Sequence, residues 1–121
     1  MSNKYEVQFV ELANGVQPFA EFIDSLKEEV QAEIFATIDD FLYKKNSSLK
    51  IKENLSKLLE DGIFELRTTF ADGIARTLYF YVSGKRVIIT HGFIKKSQKT
   101  PRREIDRAKA LRSAHTEKES K

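Results

Sequence analysis

The hydrophobic residues of this chain follow two different periods, and each period predicts a different kind of element. Aromatic and β-branched residues are frequent from Tyr5 to Leu12, which predicts a first β-strand that ends before Asn14-Gly15. From Pro18 onwards the apolar residues recur every three or four positions, the period of an amphipathic helix. The pattern breaks near Lys27 and then continues to Asn46, so we expect a hairpin of two helices.

A second apolar region follows, and its turn signals divide it into strands. Asp61-Gly62, Asp72-Gly73 and Ser83-Gly84-Lys85 separate three strands, which we place at residues 63–70, 74–82 and 86–94. Because the connections are far too short for a parallel crossover, these strands should form an antiparallel meander. Residues 49–60 show no clear period and are predicted to form a loop with at most a short helical turn.

The short turns also predict the register of the meander and the two faces of its sheet. The expected opposite pairs are Thr69 with Arg76, Val82 with Val87, Arg76 with Phe93, and Leu78 with His91. The core face, covered by the helical hairpin, should hold Phe64, Leu66, Phe70, Tyr79, Tyr81, Ile88 and Ile94. The opposite face, apolar at one end and cationic at the other, should hold Glu65, Arg67, Thr69, Arg76, Leu78, Phe80, Val82, Val87, Ile89, His91, Phe93 and Lys95.

A last helix is predicted after the meander, with Thr100 as its cap and Pro101 in its first position. The fold class is therefore α+β: an antiparallel sheet of about four strands, covered by the N-terminal helical hairpin, with a C-terminal helix. Residues 1–112 should form one domain, and residues 113–121 a polar tail that frays.

Composition narrows the classes of function. The 121 residues include no cysteine and two histidines, which excludes disulfides and leaves almost no zinc arrangement. No metal and no cofactor is expected. With no leader-like segment and no long apolar run, the protein is expected to be cytoplasmic and to have no membrane partner.

The net charge of +3 hides a strong asymmetry along the chain. Residues 1–65 carry 7 basic and 13 acidic side chains, a balance of −6, whereas residues 85–112 carry 10 and 2, a balance of +8. The basic residues are most crowded at 95–103, where a strand gives way to a helix whose N-terminal N–H groups can also bind an anion. This pattern predicts a phosphate-binding site.

Three segments carry a family resemblance: 61–67 (Asp-Gly-Ile-Phe-Glu-Leu-Arg), 76–80 (Arg-Thr-Leu-Tyr-Phe) and 91–105 (His-Gly-Phe-Ile-Lys-Lys-Ser-Gln-Lys-Thr-Pro-Arg-Arg-Glu-Ile). With the preceding strand and two helices, they resemble the RelE/HigB branch of the RelE/ParE toxin superfamily, specifically its phage-derived HigB-like group. The resemblance implies a RelE-like fold and the toxin of a type II toxin–antitoxin pair. Such a toxin is an endoribonuclease that cleaves mRNA on the ribosome and is inhibited by a helix-turn-helix antitoxin.

The candidate site residues follow from this chemistry. RNA cleavage without a metal needs a base for the 2′-OH proton, cations for the charge of the phosphorane, and an acid for the 5′-oxygen. Arg76 matches the family's phosphate-binding arginine, and Arg67 its basic neighbour on the preceding strand. The candidate bases are Lys95 and Lys96, which match the family's basic pair, with His91 as their rival. RelE has a tyrosine in its C-terminal segment that this chain lacks, and Lys99 is the candidate to take its place. The RNA-binding residues are expected to be Arg86, Arg102 and Arg103.

Two other classes of function stay open. ParE relatives share the fold but inhibit gyrase and lack the basic catalytic set, so the retention of Arg67, Arg76 and Lys95 argues against that class. A non-catalytic nucleic-acid-binding module is the other alternative, although Tyr79 and Tyr81 are predicted on the core face rather than on a base-stacking surface.

Overall fold

A computed structural model describes residues 4–95 and 99–120 of the chain. The strands are β1 (Glu6–Phe9), β2 (Ser56–Glu60), β3 (Ile63–Phe70), β4 (Gly73–Val82) and β5 (Arg86–Lys95). The helices are α1 (Pro18–Asp24), α2 (Glu28–Asn46) and α3 (Arg102–Glu119). The predicted α+β class is confirmed, as is the helical hairpin with its break at Lys27, where the backbone is extended.

The sheet is mixed and has five described strands in the order β1-β5-β4-β3-β2, one more than expected. β1 pairs in parallel with β5, and the other pairs are antiparallel. The additional strand is β2, so the prediction of a loop at residues 49–60 is wrong for residues 56–60. Its sequence, Ser-Lys-Leu-Leu-Glu, has no β-branched residue, and its strand conformation comes from pairing with β3 across the tight turn at Asp61-Gly62.

The register of the meander is partly as predicted. Leu78 lies opposite His91 and Arg76 opposite Phe93, which confirms those pairs. The prediction that Thr69 faces Arg76 is wrong, because a tighter turn sets Arg67 opposite Arg76.

A register shift between Leu78 and Tyr79 explains the other differences from the predicted register. It places one extra residue of β5 between Ile89 and His91, so residues before it point to the opposite face from the one expected. Val82 therefore pairs with Arg86 rather than Val87. Val87 and Ile89 belong to the core beneath the helical hairpin, and Ile88 belongs to the other face.

Each face of the sheet has its own hydrophobic core. The core under α1 and α2 contains Phe19, Ile34 and Phe41 packed on Leu66 and Tyr79, among others. The second core lies under α3, where Ala108 and Leu111 pack with apolar residues that include Ile63, Leu78, Phe80 and Ile88. The second core fixes α3 above the face that carries the candidate site.

Both ends of α3 differ from the prediction. The helix begins at Arg102 with Pro101 as its cap residue, and no side-chain hydrogen bond caps it, because the Thr100 hydroxyl donates to Glu65 instead. At the other end the helix continues to Glu119 through most of the segment that was expected to fray. His115 is buried there, with its ring 5.7 Å from that of Phe80.

Candidate functional site

Four of the predicted site residues share one face of the sheet. Strand pairing and alternation place Arg67, Arg76, His91 and Lys95 on the α3 side, while Tyr79 lies on the other side in the core under the hairpin. The predicted division of the two faces is therefore confirmed for these residues. Their surroundings differ greatly, however, and only some of them can be reached from solvent.

Arg76 is fully buried at the centre of this face. Its Nη1 donates to Glu65 Oε1 at 2.9 Å and to Thr100 Oγ1 at 3.4 Å. The Thr100 hydroxyl donates to the same Glu65 oxygen at 2.6 Å, so one carboxylate oxygen accepts from both residues. Direct contact between Arg76 and an RNA phosphate would require Glu65 or Thr100 to move.

A cleft of about 410 Å³ opens between the β2–β3 edge of the sheet and the start of α3. Its walls carry three cations, Lys57, Lys99 and Arg102, and two carboxylates, Glu60 and Glu65; the other lining residues are Leu58, Leu59, Thr100 and Ile105. Lys57 lies directly opposite Glu65 in the β2–β3 register, so the two side chains leave the sheet on the same face.

His91 is buried beneath α3 and does not line this cleft. Its Nδ1 is 3.1 Å from the Thr90 hydroxyl, and its Nε2 is 3.1 Å from Glu104 Oε1 on α3. Burial and, secondarily, the charge of Arg107 lower the pKa of His91 below its ordinary value of 6.5, while Glu104 opposes that shift. This environment is that of a packed residue that connects the sheet to α3.

The candidate basic residues at the end of β5 are only partly described. Lys95, the last residue of β5, is half-buried and pairs with Ile74. Lys96 lies outside the described residues. Lys99 is exposed and lines the cleft.

The three predicted RNA-binding arginines do not lie together. Arg86 begins β5, roughly 30 Å along the strand from Lys95, and its guanidinium forms two hydrogen bonds of 3.0 and 3.1 Å with Glu119. Arg103 is exposed, with Nε 3.9 Å from Glu104 Oε2. Of the three, only Arg102 lines the cleft.

Arg102 is engaged by acidic side chains in the cleft wall. It donates to both oxygens of Glu60, at 2.6 and 2.5 Å, and to Asp106. Lys109 donates to the same Glu60, at 2.5 Å. The hydrogen bond from Arg102 and then that from Lys109 lower the pKa of Glu60 to about 2.

Lys57 and Glu65 line the cleft but were not among the candidate site residues drawn from the sequence. Lys57 was missed because β2 was not recognised as a strand. Glu65 was placed on the correct face, and its position two residues before Arg67 on the same strand face was the signal that could have selected it.

The architecture defines the class of protein: a small α+β domain of RelE-like fold with a partly cationic cleft between sheet and C-terminal helix. The particular family follows from comparison with known proteins. Residues 21–113 match the family described as phage derived protein Gp49-like (DUF891), and the chain belongs to this family. No curated protein matches the chain.

This membership carries a general functional meaning. The Gp49-like family is associated with RelE/ParE-like toxins of toxin–antitoxin systems, which indicates an antitoxin as partner. Among the described residues, 4–95 and 99–120, no helix is long and apolar enough to cross a membrane. The same residues contain no group of three or more histidine, aspartate or glutamate side chains that could hold a metal ion.

Proposed function

We propose that this chain is the toxin of a type II toxin–antitoxin pair in the HigB-like group and acts as a ribosome-dependent mRNA endoribonuclease. The observation that carries the proposal is the cleft, which Lys57, Lys99 and Arg102 line together with the carboxylate of Glu65. The cationic side chains can bind the phosphates of an RNA strand, and the carboxylate can take part in proton transfer at a ribose.

The proposed reaction is transesterification. The ribose 2′-oxygen attacks the adjacent phosphorus and the 5′-oxygen leaves, which gives a 2′,3′-cyclic phosphate and a 5′-hydroxyl. Lys99 is the candidate acid for the leaving oxygen because it is exposed in the cleft wall. Arg67, Lys95 and Lys96 are proposed to contact the RNA beside the cleft, and no cofactor is required.

The proposed partners are mRNA held by the ribosome and a helix-turn-helix antitoxin. The chain-wide charge asymmetry, acidic in residues 1–65 and basic in residues 85–112, supports RNA binding by the basic C-terminal segment. A basic surface steers the toxin towards RNA, and its attraction is weakened by salt.

The proposal is tested by adding the purified protein to translating ribosomes and identifying the ends of the cut mRNA. We expect a 2′,3′-cyclic or 3′-phosphate and a 5′-hydroxyl, and no cut where a 2′-deoxynucleotide replaces the attacking ribose. Lys57→Met should weaken cleavage, whereas Lys50→Met, which removes the same charge outside the cleft, should not. Intact mRNA at saturating protein would overturn the proposal, and a concurrent loss of gyrase activity would favour the ParE-like alternative.

A further inference from the structure

The candidate bases drawn from the sequence are poorly placed to serve the cleft. His91 is fully buried under α3, and Lys95 lies at the end of β5 outside the lining of the cleft. Lys99 does line the cleft, but an ammonium group must first lose its own proton before it can accept one.

Within the described part of the chain, the cleft lining holds two carboxylates, which differ in their hydrogen-bond partners and in their depth in the cleft. Glu60 accepts hydrogen bonds from Arg102 and Lys109, and its pKa of about 2 makes it a weak base. Glu65 is instead paired with the buried Arg76, and the hydrogen bonds from Arg76 and Thr100 both reach its Oε1. It is the carboxylate at the base of the cleft, where its own residue is only 2% exposed.

The contacts of Glu65 are those of a group held in one orientation. Oε1 accepts from Thr100 at 2.6 Å and from Arg76 at 2.9 Å, and both donors approach from buried positions. Arg76 and Thr100 therefore hold the Glu65 carboxylate in a fixed orientation. The side chain of Lys57 lies next to Glu65 across the strand pair and can hold the phosphate there.

We infer that Glu65 is the general base of the proposed nuclease and that Arg76 and Thr100 are its positioning residues. The Glu65 carboxylate takes the proton of the ribose 2′-OH while the 2′-oxygen bonds to phosphorus. The bond from phosphorus to the 5′-oxygen breaks, and the ammonium of Lys99 protonates the leaving oxygen. Glu65 then returns its proton to water, and Lys99 takes one up. The inference rests on the proposed nuclease function.

The first test compares Glu65→Gln with the wild type on ribosome-bound mRNA. Glutamine keeps the shape of the side chain and an oxygen that can accept from Thr100, but it is not a base at neutral pH. We expect the saturated cleavage rate to fall by about 10²- to 10⁴-fold, while binding of a 2′-O-methyl RNA changes less than about threefold. Glu33→Gln, an exposed carboxylate on α2, is the matched control and should cleave like the wild type.

The second test separates the base from the acid by means of the leaving group. In an RNA with sulfur in place of the 5′-bridging oxygen, the leaving group is a thiolate, which needs no proton from an acid. This substrate should restore the rate of Lys99→Met but not that of Glu65→Gln. Restoration of both, or of Glu65→Gln alone, would overturn the assignment of Glu65 as the base.

The positioning role has its own readout. Thr100→Val should lower the saturated rate and leave the KM for mRNA unchanged, and Thr100→Ser, which keeps the hydroxyl, should restore that rate. Equal rates for the two variants would overturn the positioning role of Thr100.

The outcomes distinguish this inference from the proposed function itself. If the wild type does not cleave, the nuclease proposal fails; if the wild type and Glu65→Gln cleave equally, only the inference fails. Should Glu65→Gln not fold, the double variant Glu65→Gln/Arg76→Met, which buries no unpaired charge, is tested on both substrates. A wild-type rate in this variant overturns the inference, and a loss that the sulfur substrate does not restore supports it.

Discussion

Arg76→Ala should destabilise the protein strongly, because it removes one partner of a buried ion pair. The guanidinium is fully buried and the side chain of Glu65 is only 3% exposed, so the variant leaves a carboxylate without its charged partner in the interior. Breaking a buried pair in this way costs about 3–5 kcal/mol. Arg67 lies directly opposite Arg76, and relief of the repulsion between them returns about 0.2–1 kcal/mol. We therefore expect a net loss of about 2–5 kcal/mol.

Urea denaturation followed by circular dichroism measures this loss. With an m-value of about 2 kcal/mol/M, typical of small domains, the midpoint should fall by about 1–2.5 M. Arg103→Ala is the matched control, because it removes the same charge from a side chain that is 83% exposed and should change stability by less than about 0.5 kcal/mol. The double variant Glu65→Met/Arg76→Met, which removes both charges, should lose much less than Arg76→Ala.

A loss below about 1 kcal/mol in Arg76→Ala would refute this reasoning, because it would mean that Glu65 does not need its charged partner. The result also bears on any toxicity assay. If Arg76→Ala relieves growth arrest, the relief is evidence about catalysis only when the variant is shown to be folded at the temperature of the assay.

Three further predictions follow from contacts elsewhere in the fold. Because the pKa of His91 is lowered in the folded state, the unfolded chain binds more protons below pH 6.5, and stability should fall as the pH drops below that value. Urea titrations at pH 5–8 should show this dependence, and His91→Gln should flatten it. Glu60→Gln removes a partner of Arg102, so RNA binding should tighten and its salt dependence steepen, as measured by fluorescence anisotropy. Gly92→Ala would place its Cβ in hard contact with the Phe22 ring, and a loss of about 1–3 kcal/mol should appear in thermal melting.

The parts of the fold that could be predicted from sequence are those with strong local signals. Pro18, the break at Lys27 and the three turns fixed the helical hairpin and the meander, because helix starts and tight turns depend on neighbouring residues. The register shift between Leu78 and Tyr79 has no comparable signal. It reverses the face of Val87 to Ile89 without changing the pattern of apolar residues, so hydrophobic alternation does not reveal it.

For the candidate site too, some features could be predicted from local sequence and others could not. Strand alternation was sufficient to place Arg67, Arg76, His91 and Lys95 on one face. Alternation does not show how deeply each side chain is buried, however, because burial depends on the residues that pack over it. Thr100 covers Arg76 and Glu104 reaches His91, and both partners come from a segment far away in sequence.

The position of α3 links these observations, since one wall of the cleft is the start of this helix. The helix is held by two kinds of contact. Ile105, Ala108 and Leu111 are buried along its inner edge, whereas the ion pairs from Arg102 to Glu60 and from Arg112 to Asp61 are more exposed. Exposed pairs of this kind contribute about 0–1 kcal/mol each and are screened by salt, while a buried leucine contributes about 2–5 kcal/mol when truncated to alanine. Removing Leu111 should therefore disrupt the cleft far more than removing Arg112, even though Arg112 contacts Asp61 directly. The apolar edge of α3 determines where the cleft is, and its charged residues determine what the cleft attracts.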